Sequence, residues 1–377
     1  MKVLHIITGL GIGGAEQQLR LMLRHLPVRS EVVTLTNPGP VARGIEADGV
    51  PVTHLGMTGN RDLGALPRLV RIIRDGRYDL VHTHLYRACV YGRIAARLAG
   101  VRTVVATEHS LGDTQIEGRP LSAGTRALYR ATERLGTATV AVSPSVARRL
   151  EGWGVAPSRI HVVPNGIESA RFGYTEDARR LTRKLLDLPE DAFVVGGVGR
   201  LAPGKRFDRL VRAVASVPEA RLLLVGDGEE RERLLATAHA SGAADRVLLA
   251  GACEDPPPAG GERPDLPSLL AAMDVFVSTS PDESFGLAAV EALAAGLPVL
   301  YVACPAIDDL PPDAAPGARR IGPSVPELAG ALRGIRDARL ARLPRPAAAH
   351  RYDIAHSALQ LMSLYEQAVH GTPPPPK

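Results

Sequence analysis

At 377 residues the chain is longer than one hydrophobic core comfortably serves, so two domains are expected. Its 45% hydrophobic and 23% charged residues exclude wholesale disorder. No apolar run approaches the ~18 residues of a spanning helix, and MKVLHIITGL lacks the features of a secretory leader, so a cytoplasmic protein is expected. The +5 net charge is uneven: residues 1–170 carry 21 Lys and Arg against 13 Asp and Glu, whereas residues 171–377 carry 24 against 27. The first half therefore faces anionic partners more readily than the second. Cys89, Cys253 and Cys304 have no paired spacing, which points away from a disulfide framework or a zinc site.

In chain order, KVLHIIT is followed by a helix from Ala15, then EVVTLT, the helix LPRLVRIIRD, YDLVHTH, the helix VYGRIAARLAG and TVVATEHS. TATVAVSP and IHVVPNG supply two further strands. β-Branched runs alternating with helical stretches predict a parallel sheet covered on both faces. After a polar bridging stretch at Ser169–Asp191 the pattern restarts: FVVGGVGR, FDRLVRAVASV, RLLLVGDG, EERERLLATAHA, RVLLAGAC, LPSLLAAM, DVFVSTS, LAAVEALAAG and LPVLYVA. The expected fold is α/β with two doubly wound, Rossmann-like domains. Residues 1–168 form the first and residues 169–351 the second, with a hinge near Glu168. An amphipathic helix at 352–370 packs back on either domain, and 371–377 is a loose tail. Ligands in such sheets lie beyond the carboxyl ends of the strands, so a site between two facing units is expected.

GLGIGGAE places Gly9, Gly11 and Gly14 in G-x-G-x-x-G between a strand and a helix, the context of a dinucleotide fingerprint. An NAD site also needs an acid at the end of the second strand. Asn37 stands there, Glu31 sits at the wrong end, and Arg43 is too far along for an NADP site. What remains is a loop whose backbone N–H groups and helix N-terminus suit a phosphate.

In the second half, GVGRLAPGKRFD sets Arg200 and Lys205 between a strand and a helix, where cations meet a ligand above a sheet. RLLLVGDGEE repeats the strand-to-glycine turn at Gly226 and Gly228. PDESFGLAAVEALAAG places Glu283 at a helix mouth and Glu291 eight residues on, acceptor groups suited to vicinal hydroxyls.

GGAE, YDLVHTHL, AVSPSVARRL, VVPNGI, GVGRLAPGKRFDRL, LLLVGDG and ESFGLAAVEALAAGLPV together resemble the retaining nucleotide-sugar glycosyltransferases of family four, which have the GT-B fold. The resemblance runs in order over nearly the whole chain. It implies a glycosyltransferase that takes a sugar from a nucleoside diphosphate donor, UDP most commonly. Glu291 would accept from the nucleotide ribose and Glu283 would hold a hydroxyl of the transferred sugar. Arg200 and Lys205 would neutralise the diphosphate, and Gly13 and Gly14 would offer it backbone amides. Ala252 and Cys253 would read the base through their backbone. His109 in TEHS matches the family histidine at the donor-sugar edge. Gly226, Ser284, Phe285, Gly286 and Leu287 complete the implied donor site.

No D-x-D occurs in the chain, so no metal and no resident cofactor are expected, with Arg200 and Lys205 taking the metal's part. His82 and His84 point to one face of a strand but are too few alone for a metal. Three segments depart from the pattern or stand outside it. YVACPAIDDLPPD, Tyr301 to Asp313, replaces the usual glycine pair and Glu. EDPPPAGGERPD, Glu254 to Asp265, reads as a surface insertion beside the base pocket. LGDTQIEGRPL, after His109, is placed on the acceptor side. The expected acceptor is a small molecule or a lipid-linked glycan. Arg68, Arg71 and Arg74 and Arg126, Arg130 and Arg134 would favour an anionic membrane surface or a phosphorylated acceptor. No nucleic-acid partner is expected. A nucleotide-sugar epimerase or a non-catalytic nucleotide-sugar-binding relative is the alternative reading.

Overall fold

In the computed structural model the alternating pattern becomes two α/β units, described for residues 1–59, 62, 64–112, 115–117, 119–253, 264–311, 313–338 and 342–371. Residues 1–166 and 354–377 form the first unit, and residues 167–353 the second. The sequence sets these divisions at 168/169 and 351/352.

The first unit runs β1 (Lys2–Ile7), α1 (Gly14–His25), β2 (Arg29–Thr34), α2 (Gly39–Ala47), β3 (Val52–His54), α3 (Ala65–Gly76), β4 (Leu80–His84), α4 (Tyr86–Ala99) and β5 (Val104–Glu108). A short hairpin follows, β6 (Gln115–Ile116) with β7 (Arg119–Pro120), within the segment placed on the acceptor side. Then come α5 (Ala123–Glu133), β8 (Ala138–Ala141), α6 (Pro144–Gly152) and β9 (Ile160–Val162). The seven strands of the main sheet are parallel, in the order β3-β2-β1-β4-β5-β8-β9.

Successive strand residues face opposite ways, so β1 splits its apolar set between two cores. Leu4 and Ile6 join Val81 and Val104 beneath Leu69 and Ile73 of α3 and Ala88, Ala95 and Ala96 of α4. Val3 joins Leu80, Val105 and Val140 on the other face. There they meet Met22 of α1 and Ile354, Ala358, Leu361 and Tyr365 of the last helix, Ile354–His370.

The second unit begins with a 3₁₀ turn at Ser169–Phe172 and α7 (Glu176–Leu185). This corrects the expectation of a polar bridge at Ser169–Asp191. Thr175 caps the helix by accepting from Ala178 N, and Glu176 and Asp177 favour its positive end. The few apolar residues of α7 hid it from a search for hydrophobic periodicity, because its buried face is polar. Arg183, fully buried, donates to the carbonyls of Pro189, Glu190, Ala192 and Ala272 and to Asp274 at 2.8–3.1 Å.

The order continues β10 (Phe193–Val198), α8 (Phe207–Ala215), β11 (Ala220–Val225), α9 (Arg231–Ala240), β12 (Val247–Gly251), α10 (Leu266–Ala271), β13 (Val275–Ser278) and α11 (Leu287–Ala294). It ends with β14 (Val299–Tyr301), α12 (Pro305–Asp308), β15 (Ala318–Arg320), α13 (Val325–Ala338) and α14 (Ala347–Arg351), before the last helix, α15. Six parallel strands lie in the order β12-β11-β10-β13-β14-β15.

Candidate functional site

In the second unit the strand order reverses at β10, which has β11 on one side and β13 on the other. At such a switch point the loops leaving the two central strands diverge and open a crevice above the sheet. Lys205 follows β10 and Glu283 follows β13, and the structure brings them together: Lys205 Nζ donates to Glu283 Oε1 at 2.5 Å. Their side chains keep 33% and 15% of their exposure, so the pair is reachable from solvent. Lys205 ends a 3₁₀ turn, Pro203–Lys205, and its carbonyl accepts from Thr279 Oγ1 at 2.7 Å. Arg200 stands exposed on the same loop.

The remaining sequence-predicted residues of this unit sit at the same end of the sheet. Gly226 follows β11, while Ala252 and Cys253 follow β12. Phe285 is buried against the Tyr352 ring, 5.0 Å between centroids, and Ser284 beside it is half-buried. Gly286, in the left-handed region at φ 100°, caps α11, and Leu287 begins that helix with Glu291 one turn further on. A Cβ at Gly286 would lie 2.4 Å from Cys304 Sγ, so this turn admits only glycine.

The departure at Tyr301–Asp313 supports this turn. Ala306 N donates to Phe285 O at 2.9 Å, and Cys304 Sγ lies 3.5 Å from the same carbonyl. Of the expected insertion at Glu254–Asp265, residues 254–263 lie outside the described residues, as do 113, 114 and 118 after His109 and 372–377 of the tail.

Gly226 carries a second reason for being glycine. Its φ is 144°, and a Cβ there would lie 1.9 Å from Gly199 O. The loops after β10, β11 and β12 are laced together at this point: Gly199 N donates to Val225 O, Leu201 N to Asp227 O and Gly226 N to Gly251 O, at 2.8–2.9 Å. Gly13 is different, with an extended φ of −161°, and the atoms nearest its Cβ position belong to the end of the Glu16 side chain, not to backbone. Gly226→Ala is therefore expected to cost about 3 kcal/mol of stability, whereas Gly13→Ala stays within about 0.5 kcal/mol of the parent. Urea unfolding of the two variants side by side checks this contrast.

In the first unit the order reverses between β1 and β4. The glycine-rich loop leaves β1 there, and its Leu10 N donates to Asn37 O at 2.8 Å. Asn37 Oδ1 accepts from Gly39 N at 2.9 Å. The residue standing where a dinucleotide site needs an acid is thus committed to holding the glycine loop and the start of α2.

His109, just past β5, has Nε2 3.1 Å from His84 Nδ1, while its Nδ1 is shut from solvent and has no hydrogen-bond partner among the described residues. Burial lowers its pKa to about 4, so it is neutral near pH 7. His84 in turn meets His5, which sequence reading missed. The only signal for His5 was a histidine within the otherwise apolar VLHII. One ring nitrogen from each of His5, His82 and His84 lies within 4.8 Å of the other two, and all three residues are buried. On the opposite face of the sheet Glu108 is buried, which raises its carboxyl pKa. Nearby, buried Arg93 donates to Tyr129 Oη at 3.2 Å.

Two family profiles cover most of the chain: Glycosyltransferase Family 4 over residues 12–171 and Glycosyl transferases group 1 over residues 178–333. A D-inositol 3-phosphate glycosyltransferase of Acidothermus cellulolyticus is 32% identical over 385 residues, covering 93% of this chain and 80% of that one. An Escherichia coli UDP-Gal:alpha-D-GlcNAc-diphosphoundecaprenol alpha-1,3-galactosyltransferase is 30% identical over 248 residues, 64% of this chain and 62% of that protein's length. The solved structure of Anabaena Alr3699/HepE in complex with UDP-glucose superposes with a TM-score of 0.80 at 25% identity, over 97% of this chain and all of that one. With this agreement in sequence and architecture, the chain belongs to glycosyltransferase family 4 and has the two-unit GT-B fold.

Proposed function

We propose that the protein is a retaining, metal-independent glycosyltransferase that moves a sugar from a UDP-sugar to a hydroxyl acceptor. The observation that carries this reading is the Lys205–Glu283 pair at the switch point of the second sheet, with Arg200 on the same loop and Glu291 on the following helix. Departure of a nucleoside diphosphate leaves about two negative charges and a cation-like sugar, so fixed cations aimed at the leaving oxygens supply the largest catalytic effect. Arg200 and Lys205 take the diphosphate, Glu283 a hydroxyl of the transferred sugar, and Glu291 the ribose. In the first unit Gly13 and Gly14 are assigned to phosphate contacts and His109 to the donor sugar. The acceptor attacks on the face the diphosphate leaves, and a phosphate oxygen takes its proton, which retains configuration without a protein base.

The absence of D-x-D from the sequence supports metal independence. UDP is favoured because the Anabaena relative binds UDP-glucose and the Escherichia coli relative is named for UDP-Gal. The acceptor carries phosphate: both curated relatives are named for phosphorylated acceptors, and residues 1–170 of this chain carry a net positive charge, with 21 Lys and Arg against 13 Asp and Glu. Among the described residues no helix is long and apolar enough to cross a membrane, so a lipid-linked acceptor would be met at a membrane surface.

Thermal shift against UDP, GDP, ADP, dTDP and NAD in the presence of EDTA tests the reading. UDP is expected to stabilise the protein, and stabilisation by NAD alone would overturn it. With UDP-glucose as donor, Glu291→Ala is expected to weaken UDP binding about tenfold, while Glu283→Ala chiefly lowers kcat. An equal loss of UDP affinity in both variants contradicts the assigned roles.

A further inference from the structure

The face of the first sheet that carries α15 holds four imidazoles. Alternation along β1, β4 and β5 turns His5, His82, His84 and His109 to one side, and the register sets His5 opposite His82. His82 is saturated: its Nδ1 lies 2.5 Å from Tyr365 Oη of α15 and its Nε2 2.7 Å from Thr107 Oγ1. The other three form a line. Ser30 Oγ lies 3.4 Å from His5 Nε2, His5 Nδ1 lies 3.2 Å from His84 Nε2, and His84 Nδ1 lies 3.1 Å from His109 Nε2. At the far end His109 Nδ1 is buried with no partner among the described residues.

We propose that His5 and His84 are positioning residues that form a one-directional imidazole relay and fix which ring nitrogen of His109, the residue assigned to the donor sugar, carries the proton.

Burial lowers the pKa of His5 to about 3 and holds His84 well below the usual histidine value, so the imidazoles are neutral near pH 7. A neutral imidazole has one N–H and one bare nitrogen. If His5 donates through Nδ1, then His84 must accept at Nε2 and donate through Nδ1, His109 must accept at Nε2, and its Nδ1 carries the proton outward. If His109 donates inward through Nε2, every tautomer reverses, Ser30 Oγ accepts from His5, and His109 Nδ1 is bare. Mixed states leave two N–H groups or two lone pairs facing each other in a dry core, at the cost of a lost buried hydrogen bond. The three rings therefore share one tautomer.

A metal bound by His5, His82 and His84 competes for the same atoms. The existing bonds account for every ring nitrogen of these three residues, so a metal would have to displace one such bond at each of them.

The functional half of the proposal rests on the assignment of His109 to the donor sugar; the tautomer half does not. Histidine 15N spectra of the ligand-free protein, with each ring assigned, are expected to show one common tautomer for His5, His84 and His109. A mixture of tautomers among the three, or one equivalent of co-purified zinc lost on substitution of His5, overturns the relay. His84→Phe removes both linking nitrogens and is expected to change or scramble the His109 tautomer. It should lower kcat with UDP-glucose about tenfold while leaving UDP affinity within twofold. His84→Gln, whose amide both donates and accepts, is expected to recover most of that rate. An unchanged His109 tautomer in His84→Phe, or no recovery in a folded His84→Gln, also overturns it. The wild-type spectrum decides the question even if neither variant folds, and it is independent of whether the protein transfers sugar.

Discussion

Lys205→Met is expected to lower kcat for transfer from UDP-glucose by about 10²- to 10³-fold, the usual effect of removing one preorganised group that stabilises developing negative charge. The ammonium is fixed before any ligand arrives. The 3₁₀ turn that ends at Lys205 is tied to the end of β13 through Thr279, and Glu283 Oε1 accepts from Nζ. Little reorganisation is then needed when charge develops on the leaving oxygens. The pair is partly open to solvent, so its own contribution to stability is small and the midpoint of thermal unfolding should move by no more than a degree or two. Steady-state kinetics at saturating UDP-glucose separate the roles. A fall in kcat below threefold would remove Lys205 from the chemistry, and a rise in KM at constant kcat would make it a ground-state contact only. Arg200→Met is expected to act in the same direction, and the double variant to lose less than the product of the two, because both cations serve one diphosphate.

The largest effect on stability is expected from Arg183→Met. Its guanidinium fills the space between α7 and the amino-terminal end of β13 and satisfies four carbonyls and Asp274. Methionine keeps the bulk of the stem and strands those acceptors. Asp274 keeps Arg179 at 2.8 Å and remains a quarter exposed, so most of the cost comes from the carbonyls. The expected loss is about 3–5 kcal/mol, or about 10 °C in the unfolding midpoint of the second unit. Urea denaturation followed by two probes checks it, since two units need not unfold in one step. A loss below about 1 kcal/mol would show that water replaces the guanidinium. UDP affinity at low temperature should survive, because Asp274 precedes β13 and Glu283 follows it, at opposite ends of the strand.

What was legible in the sequence was whatever chemistry lies within one short stretch. Arg200 and Lys205 share a loop, Glu283 and Glu291 share a turn and a helix, and periodicity located most strands and helices around them. The meaning of individual glycines was not legible. Gly13 and Gly226 read alike, yet Gly226 is fixed by a carbonyl from a loop that precedes it by more than twenty residues, whereas a Cβ at Gly13 meets first the side chain of Glu16. His5 stayed hidden for a related reason: register across two strands, not spacing along one, brings it to His84. Helix α7 was lost because its burial is achieved by an arginine, which no apolar pattern announces.

Tyr365 gives the order of synthesis a structural meaning. The phenol that engages His82, and the apolar stripe of α15 that covers Val3, Leu80 and Val105, come from a segment that follows the entire second unit in the chain. A ribosome that has finished the second unit has not yet delivered the helix that closes the first. Domains usually mature in the order in which they emerge. Here the amino-terminal sheet keeps the part of one face that α15 covers open until the last helix arrives, so the earlier half is the later one to be completed.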